Sequence, residues 1–126
     1  MKRSPLKRKT PLRRQSKRRQ SEYKEYMRKR DAFLIKNPIC QLWLTENEWE
    51  SSGNGIYFHE KWGHLTYSDV QVVFGAPRST EIHHKNGRNG KNYLDESTWM
   101  ALSHEAHMRI ENNKSWARAN GYLGRK

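Results

Sequence analysis

Apolar and aromatic positions recur every three or four residues in the first third of the chain, a spacing typical of an α-helix with one buried face. Ser21 can cap such a helix, with two glutamates in its first turn, and Asn37 followed by Pro38 ends it. We therefore predict a helix that starts at Ser21, ends at Asn37 and packs its stripe on the domain. The stripe consists of Tyr23, Tyr26, Met27, Arg30, Phe33 and Leu34.

The pattern between residues 39 and 80 is less regular. Residues 56–58 and 70–74 are short runs of β-branched and aromatic residues, which predict two strands. A serine- and glycine-rich turn precedes the first strand, and Gly75 opens the turn that closes the second. His59 and His64 flank Trp62, and we interpret them as surface or packing histidines, with a second metal site as the alternative.

The pattern sharpens after Ser79. Residues 80–84 and 99–102 predict two short strands, and the glycine-rich loop between them starts with the turn signal of Asn86 and Gly87. Ser103 can cap a following helix, and a last short helix over residues 115–120 is stopped by Gly121. Helices and short strands together predict an α+β protein. One face of the helix after Ser103 carries His104, His107, Met108 and Glu111.

Charge is concentrated at the N-terminus. The net charge is +12, and residues 1–20 hold ten Lys and Arg residues without one acidic residue. Prolines in a block of like charge predict a disordered, extended arm that lies along the phosphates of a nucleic acid. A localisation signal or a ribosomal-RNA type of anchor is the alternative. The predicted phosphate contacts of the arm are Lys7, Arg8, Lys9, Arg13, Arg14, Lys17, Arg18 and Arg19.

Composition excludes several classes of protein. Only 33% of the residues are hydrophobic and the mean hydropathy is −1.19, so the core is modest in size. The single cysteine, Cys40, excludes an intrachain disulfide and a cysteine-rich zinc site. No apolar run approaches the length of a membrane span, and no secretory signal is present. We therefore expect a cytoplasmic protein without a membrane partner, with an Arg-rich transit peptide as the alternative.

Four of the six histidines lie in two short segments, which suggests a metal site. His83 on the first strand of the last third, with His107 and Glu111 four residues apart on the helix, offers three ligands for one divalent ion. Mg²⁺, Mn²⁺, Ni²⁺ and Zn²⁺ are all candidates. A closed structural zinc site is the alternative, and its ligands would be His83, His84, His104 and His107.

His84 suits a different task. Adjacent strand residues point to opposite faces, so His84 can stay free while His83 binds the metal. A free imidazole titrates near neutral pH and can act as a general base. Arg88 could contact the phosphate under attack, and Lys85 the backbone nearby.

These residues resemble the HNH endonucleases, and among them the small phage-type proteins. The resemblance lies in the run Glu-Ile-His-His-Lys-Asn-Gly-Arg at residues 81–88, the helix with His107, the Pro-Leu-Lys-Arg arm and the Ala-to-Leu end at residues 117–123. It implies a small ββα-metal core with flanking helices, a nuclease domain over residues 21–126, and a β-containing insertion at about 41–78.

The resemblance also implies roles for single residues. His83 and His107 match metal ligands, His84 matches the general base, and Glu111 stands where a second helix histidine often lies. The asparagine that braces the loop has no clean match: Asn92 comes early, and Thr98 would have to act through its hydroxyl.

One departure from the family concerns zinc. Many relatives carry two Cys-x-x-Cys pairs, but here only Cys40 remains, with Ser103 and Ala106 in place of the second pair. The zinc knuckle is therefore absent, and we expect Trp43, Trp49 and Trp62 to replace it by packing.

We therefore expect a metal-dependent endonuclease that hydrolyses DNA phosphodiesters, by nicking, in phage or mobile-element DNA processing. Two alternatives stay open. One is a non-catalytic nucleic-acid-binding protein with a structural zinc, and the other is a module that binds a phage protein partner.

Overall fold

The computed structural model describes residues 16–124, which form helices and two small antiparallel sheets. This mixture confirms the predicted α+β class. None of the helices in this part of the chain is long and apolar enough to cross a bilayer. The helices and strands are α1 Lys17–Lys36, α2 Gln41–Glu46, β1 Glu50–Gly53, β2 Ile56–His59, β3 Gly63–Thr66, α3 Tyr67–Phe74, β4 Glu81–His84, β5 Trp99–Leu102, α4 His104–Asn112 and α5 Lys114–Ala119, with 3₁₀ turns at Gly90–Tyr93 and Glu96–Thr98.

Helix α1 begins earlier than predicted. Ser16 is its N-cap, and the Ser16 hydroxyl accepts a hydrogen bond from the Arg19 amide at 3.1 Å. The prediction of Ser21 as the cap is therefore wrong, because Ser16 offers the same cap and good helix formers follow it at once. Lys17, Arg18 and Arg19, predicted to lie in the disordered arm, form exposed positions of the first turn. The other predicted phosphate contacts, Lys7, Arg8, Lys9, Arg13 and Arg14, lie outside the described residues.

The region of the predicted insertion forms a three-stranded sheet with a helix at each end. The strand predicted at residues 56–58 is confirmed as part of β2. The strand predicted at residues 70–74 is wrong, because that run lies in α3. The Thr66 hydroxyl accepts from the Asp69 amide at the start of α3, and Gly75 ends the helix in the left-handed conformation with φ 68°. These two signals outweigh the weak helix propensity of valine.

The C-terminal part places two strands against helix α4. Strands β4 and β5 are antiparallel, and His83 lies opposite Met100 while His84 lies opposite Trp99. Ser103 caps α4 as predicted, since its hydroxyl accepts from the Ala106 amide at 3.2 Å. The buried cluster between the sheet and the C-terminal helices consists of Cys40, Leu42, Met100, Leu102, Ile110 and Ala117.

Helix α1 covers the other face of β4. Its Tyr26 packs with Ile82 of β4, Trp99 of β5 and Tyr93 of the loop in a second buried cluster. Strand β4 is therefore enclosed by a helix on each side, and its alternating residues face two different environments.

The neighbourhood of Cys40 is apolar. Ser103 donates a long hydrogen bond to the Cys40 sulfur at 3.8 Å, and the partly buried Trp43 packs against the same cluster. Trp49 is buried in a separate cluster of the inserted region. Trp62 contacts Phe74 but is 50% exposed, so Trp43 alone of these three tryptophans packs against the cluster of Cys40.

We expect Leu102→Ala to lower the free energy of unfolding by about 3 kcal/mol, because Leu102 is fully buried between β5 and α4 and truncation leaves a cavity. Urea unfolding followed by tryptophan fluorescence measures this loss. Val72→Ala is the control: Val72 is 85% exposed on α3, so its change should stay within about 0.5 kcal/mol. Equal losses in the two variants would contradict the described core.

Candidate metal centre

An open cavity of about 420 Å³ lies between the end of β4, the loop that follows it and helix α4. The cavity brings together residues that are up to 29 positions apart in the chain, since it runs from Ile82 to Glu111. Its lining residues are Ile82, His83, His84, Gly87, Arg88, His107, Met108 and Glu111.

His83, His107 and Glu111 form one group on the wall of this cavity. Each offers one potential ligand atom, and these atoms lie within 4.8 Å of one another. His107 and Glu111 are one helical turn apart on α4, and His83 faces α4 from β4, with the two imidazole centroids 5.3 Å apart. The structure thus juxtaposes the three residues that the sequence indicated as ligands.

The hydrogen bonds of the two imidazoles suit metal binding. The Nε2 of His83 lies 2.6 Å from the carbonyl oxygen of Tyr122. A carbonyl only accepts, so Nε2 carries the proton and Nδ1 keeps the lone pair. The Nδ1 of His107 contacts a carboxylate oxygen of Glu81 at 2.7 Å, which leaves Nε2 for a metal, on the side of Glu111 at 3.8 Å. Metal-binding histidines are commonly oriented by such a second contact.

Glu81 is a member of the site to which sequence reasoning assigned no role. Its two carboxylate oxygens contact His107 Nδ1 at 2.7 Å and His104 Nδ1 at 2.6 Å. The hydrogen bond from His107, aided by that from His104, holds the pKa of Glu81 below its usual range. The signal was present in the sequence, because Glu81 precedes His83 by two residues and such residues share a strand face.

His104 lies apart from the ligand group. Its side chain is 69% exposed and is held by Glu81. His84 points to the other face of β4, so the alternative zinc shell of His83, His84, His104 and His107 is not assembled among the described residues. Of the predicted metal ligands, His104 is the one that the structure keeps outside the group.

His84 is buried beside aromatic rings. Its centroid lies 5.5 Å from that of Tyr26 and 5.6 Å from that of Trp99. Burial first, and then the charge of Arg88, lower the pKa of His84 to about 4. Arg88 Nε donates to His84 Nδ1 at 3.3 Å, so the neutral ring carries its lone pair on Nδ1.

Three hydrogen bonds brace the loop that follows His84. The side chain of Asn92 donates to the Asn86 carbonyl at 3.1 Å, across the turn. Thr98 accepts from the Lys85 amide at 2.9 Å through its backbone carbonyl, while its hydroxyl donates to Asp95. Of the two residues considered for a side-chain brace, Asn92 spans the loop, whereas Thr98 turns its hydroxyl back into its own 3₁₀ turn. The Lys85 carbonyl also accepts from the Gly124 amide at 2.7 Å, which ties the loop to the C-terminal segment.

Comparisons of the chain with protein-family models, with curated proteins and with solved structures find no match. The resemblance of residues 81–88 to the HNH endonucleases therefore stays a hypothesis. The chemistry available to the cavity has to be derived from its side chains: two imidazoles and a carboxylate that can hold a cation, and a neutral imidazole and a guanidinium beside them.

We expect Glu81→Gln to weaken the binding of Zn²⁺ or Ni²⁺ by about ten- to a hundredfold, because an amide has one oxygen and cannot accept from both histidines. Isothermal titration calorimetry measures the affinity. Glu105→Gln makes the same charge change on an exposed position of α4 and should bind the metal as the parent does. Equal affinities for the parent and Glu81→Gln would show that Glu81 does not orient His107.

The imidazole of His84 is expected to stay neutral down to a pH of about 4, whereas an ordinary histidine titrates near 6.5. Two-dimensional NMR of the imidazole groups, without added divalent ion, follows its protonation, and the spectrum of His84→Ala assigns the signal. Because the pKa is lower in the folded than in the unfolded chain, this contribution to stability is present above about pH 6.5 and is lost as the pH falls towards 4. A midpoint near 6.5 would contradict the buried, Arg88-bonded ring.

Proposed function

We propose that this protein is a divalent-metal-dependent endonuclease of the HNH type, which hydrolyses phosphodiester bonds in DNA. The observation that carries the proposal is that two adjacent histidines lie in different environments. His83 belongs to a three-residue ligand group, while His84 stays neutral and outside this group. A purely structural site needs no free imidazole beside its ligands. A hydrolytic site needs both an open coordination position and a base.

The residues of the cavity fit the steps of hydrolysis. His84 Nδ1 takes a proton from a water molecule, whose oxygen forms a bond to phosphorus as the bond from phosphorus to the 3′ oxygen breaks. Solvent returns a proton to the departing oxygen, so the products are a 3′-hydroxyl and a 5′-phosphate, as the resemblance implies. Arg88 and Lys85 would contact the charged oxygens of the scissile and neighbouring phosphates.

His83, His107 and Glu111 would hold the cation in this scheme. A bound divalent ion would polarise the phosphate and stabilise the charge on the departing oxygen. Two imidazoles with one carboxylate favour Zn²⁺, Ni²⁺ or Mn²⁺ over Mg²⁺, which prefers oxygen ligands.

Exposed cations at the start of α1 support the choice of a nucleic acid as the substrate. Lys17, Arg18 and Arg19 are exposed, and Arg18 and Arg19 line an open cavity with Lys91 of the loop after β4 and with Glu22, which forms ion pairs with both arginines. The guanidinium carbon of Arg19 lies 4.6 Å from the ring centroid of Tyr93, which belongs to the cluster around His84. Such cations contact the phosphate backbone, which carries no direct information about the base sequence. We therefore expect cutting without a long recognition sequence.

One ligand group within the described residues implies one cut per chain, and therefore nicking. The setting of phage or mobile-element DNA processing rests on the resemblance, and the phage protein partner stays a prediction of the sequence.

A plasmid-nicking assay with Mg²⁺, Mn²⁺, Ni²⁺ and Zn²⁺ in parallel tests the proposal. We expect the parent to convert supercoiled plasmid to open circles, and His84→Ala to be slower by about 10²- to 10⁴-fold because the general base is lost. His84→Ala should still bind DNA and metal, since neither the cations of α1 nor the three ligands change.

His64→Ala is the matched control, because His64 is an exposed histidine of β3 in the inserted region, outside the cavity. It should nick as the parent does. A parent that binds Zn²⁺ and DNA but cuts with none of the four ions would favour the non-catalytic protein with a structural zinc.

A further inference from the structure

The two nitrogens of His84 differ in their hydrogen-bond partners. The Nε2 atom is buried and has no hydrogen-bond partner among the residues that the structure describes. The rings of Tyr26 and Trp99 lie beside this imidazole, on the side of helix α1. Proton transfer to or from a molecule in the cavity therefore has to pass through Nδ1.

That nitrogen is already engaged. Arg88 Nε lies 3.3 Å from His84 Nδ1, and a guanidinium can only donate. The lone pair on Nδ1 is thus the acceptor of this hydrogen bond. A lone pair that accepts from Arg88 is not free to take a proton from water, so the described arrangement holds the candidate base in an inactive state.

The contact from Arg88 is one that a phosphate can replace. At 3.3 Å it is slightly longer than a normal N–H···N or N–H···O hydrogen bond, and its acceptor is uncharged. No carboxylate forms an ion pair with Arg88 within residues 16–124. A phosphate offers charged oxygens to the same guanidinium, in shorter and stronger hydrogen bonds.

The position of Arg88 allows such an exchange. Its side chain is exposed, and it lines the same cavity as His83, His107 and Glu111. It follows Gly87, whose φ of 81° places the turn in the left-handed conformation that glycine adopts without strain. A phosphate bound near these three residues would therefore lie in the cavity that Arg88 also lines.

We infer that Arg88 is a substrate-operated lock on His84: the guanidinium occupies Nδ1 until the phosphodiester draws it away, and binding of the substrate thereby frees the base. The role rests on the proposed function, and it assigns Arg88 two successive contacts, first with His84 and then with the phosphate. The lock makes an anionic phosphate a requirement for activation of the base, whatever else the substrate contains.

Chemical modification of the histidines tests the lock without any cleavage assay. Diethyl pyrocarbonate acylates an imidazole nitrogen that has a free lone pair, and peptide mass mapping gives the rate for each histidine. We expect Arg88→Met to raise the rate at His84 by about tenfold, because methionine fills similar space but donates no hydrogen bond. Inorganic phosphate, used as the probe, should raise the rate at His84 in the parent and leave it unchanged in Arg88→Met.

Two controls accompany the measurement. His64 is exposed and is modified in the same digest, so its rate should be the same in the parent and the variant. Arg88→Lys keeps the charge and a donor, and it should keep His84 slower than Arg88→Met does. If the rate at His84 were the same in Arg88→Lys and the parent, and phosphate changed it in neither protein, the positive charge of residue 88 alone would explain the slow rate. That result would overturn the lock.

Equal rates at His84 in the parent and Arg88→Met would also overturn the inference, even if the protein nicks DNA. The opposite combination of results separates the lock from the proposed endonuclease function. A phosphate-dependent rate at His84 in a protein that cuts no plasmid with any of the four ions would support the lock and remove the endonuclease.

Discussion

The alternation of side chains along β4, held between two helices, is the constraint on which the site depends. Glu81 and His83 face α4, where His107 and Glu111 meet them, while Ile82 and His84 face the aromatic cluster under α1. Pairing with β5 fixes this register over all four residues of the strand. A slip by one residue would exchange the two sets and place a ligand where the candidate base lies.

This arrangement changes the protonation of the two histidines of β4. Burial lowers the pKa of both His83 and His84, so each ring is held neutral and keeps a lone pair. Neutral rings are what a metal and a base both require. Within residues 16–124, Arg88 lies beside His84, and its positive charge lowers the pKa of His84 further. The carboxylate of Glu81 lies on the other face of β4, where it orients His107.

Much of this site follows from short-range rules, and that is why the sequence predicted it. The spacing of His107 and Glu111 and the opposite directions of His83 and His84 depend only on helix and strand geometry. The Ser103 cap is equally local. The parts that sequence reasoning missed depend on competition or on distant partners. Two serines, Ser16 and Ser21, could start α1, and only the whole helix decides between them.

Distant contacts explain the remaining differences. Val70 is buried in a tertiary core while Val72 and Val73 stay exposed, a burial pattern that β-propensity does not contain. Glu81 receives its role from two histidines more than twenty residues away, and one of them, His104, is thereby held outside the ligand group. The brace from Asn92 and the direction of the Thr98 hydroxyl likewise depend on how the loop folds back on itself.

The hydrogen bond from His83 to the Tyr122 carbonyl has a consequence for the timing of biosynthesis. Strand β4 leaves the ribosome about forty residues before Tyr122 does, so an unfinished chain has His83 without the contact that sets its tautomer. Glu111 also follows β4 in the chain. The centre is therefore complete only after the chain has been synthesised as far as Tyr122, well after β4 itself.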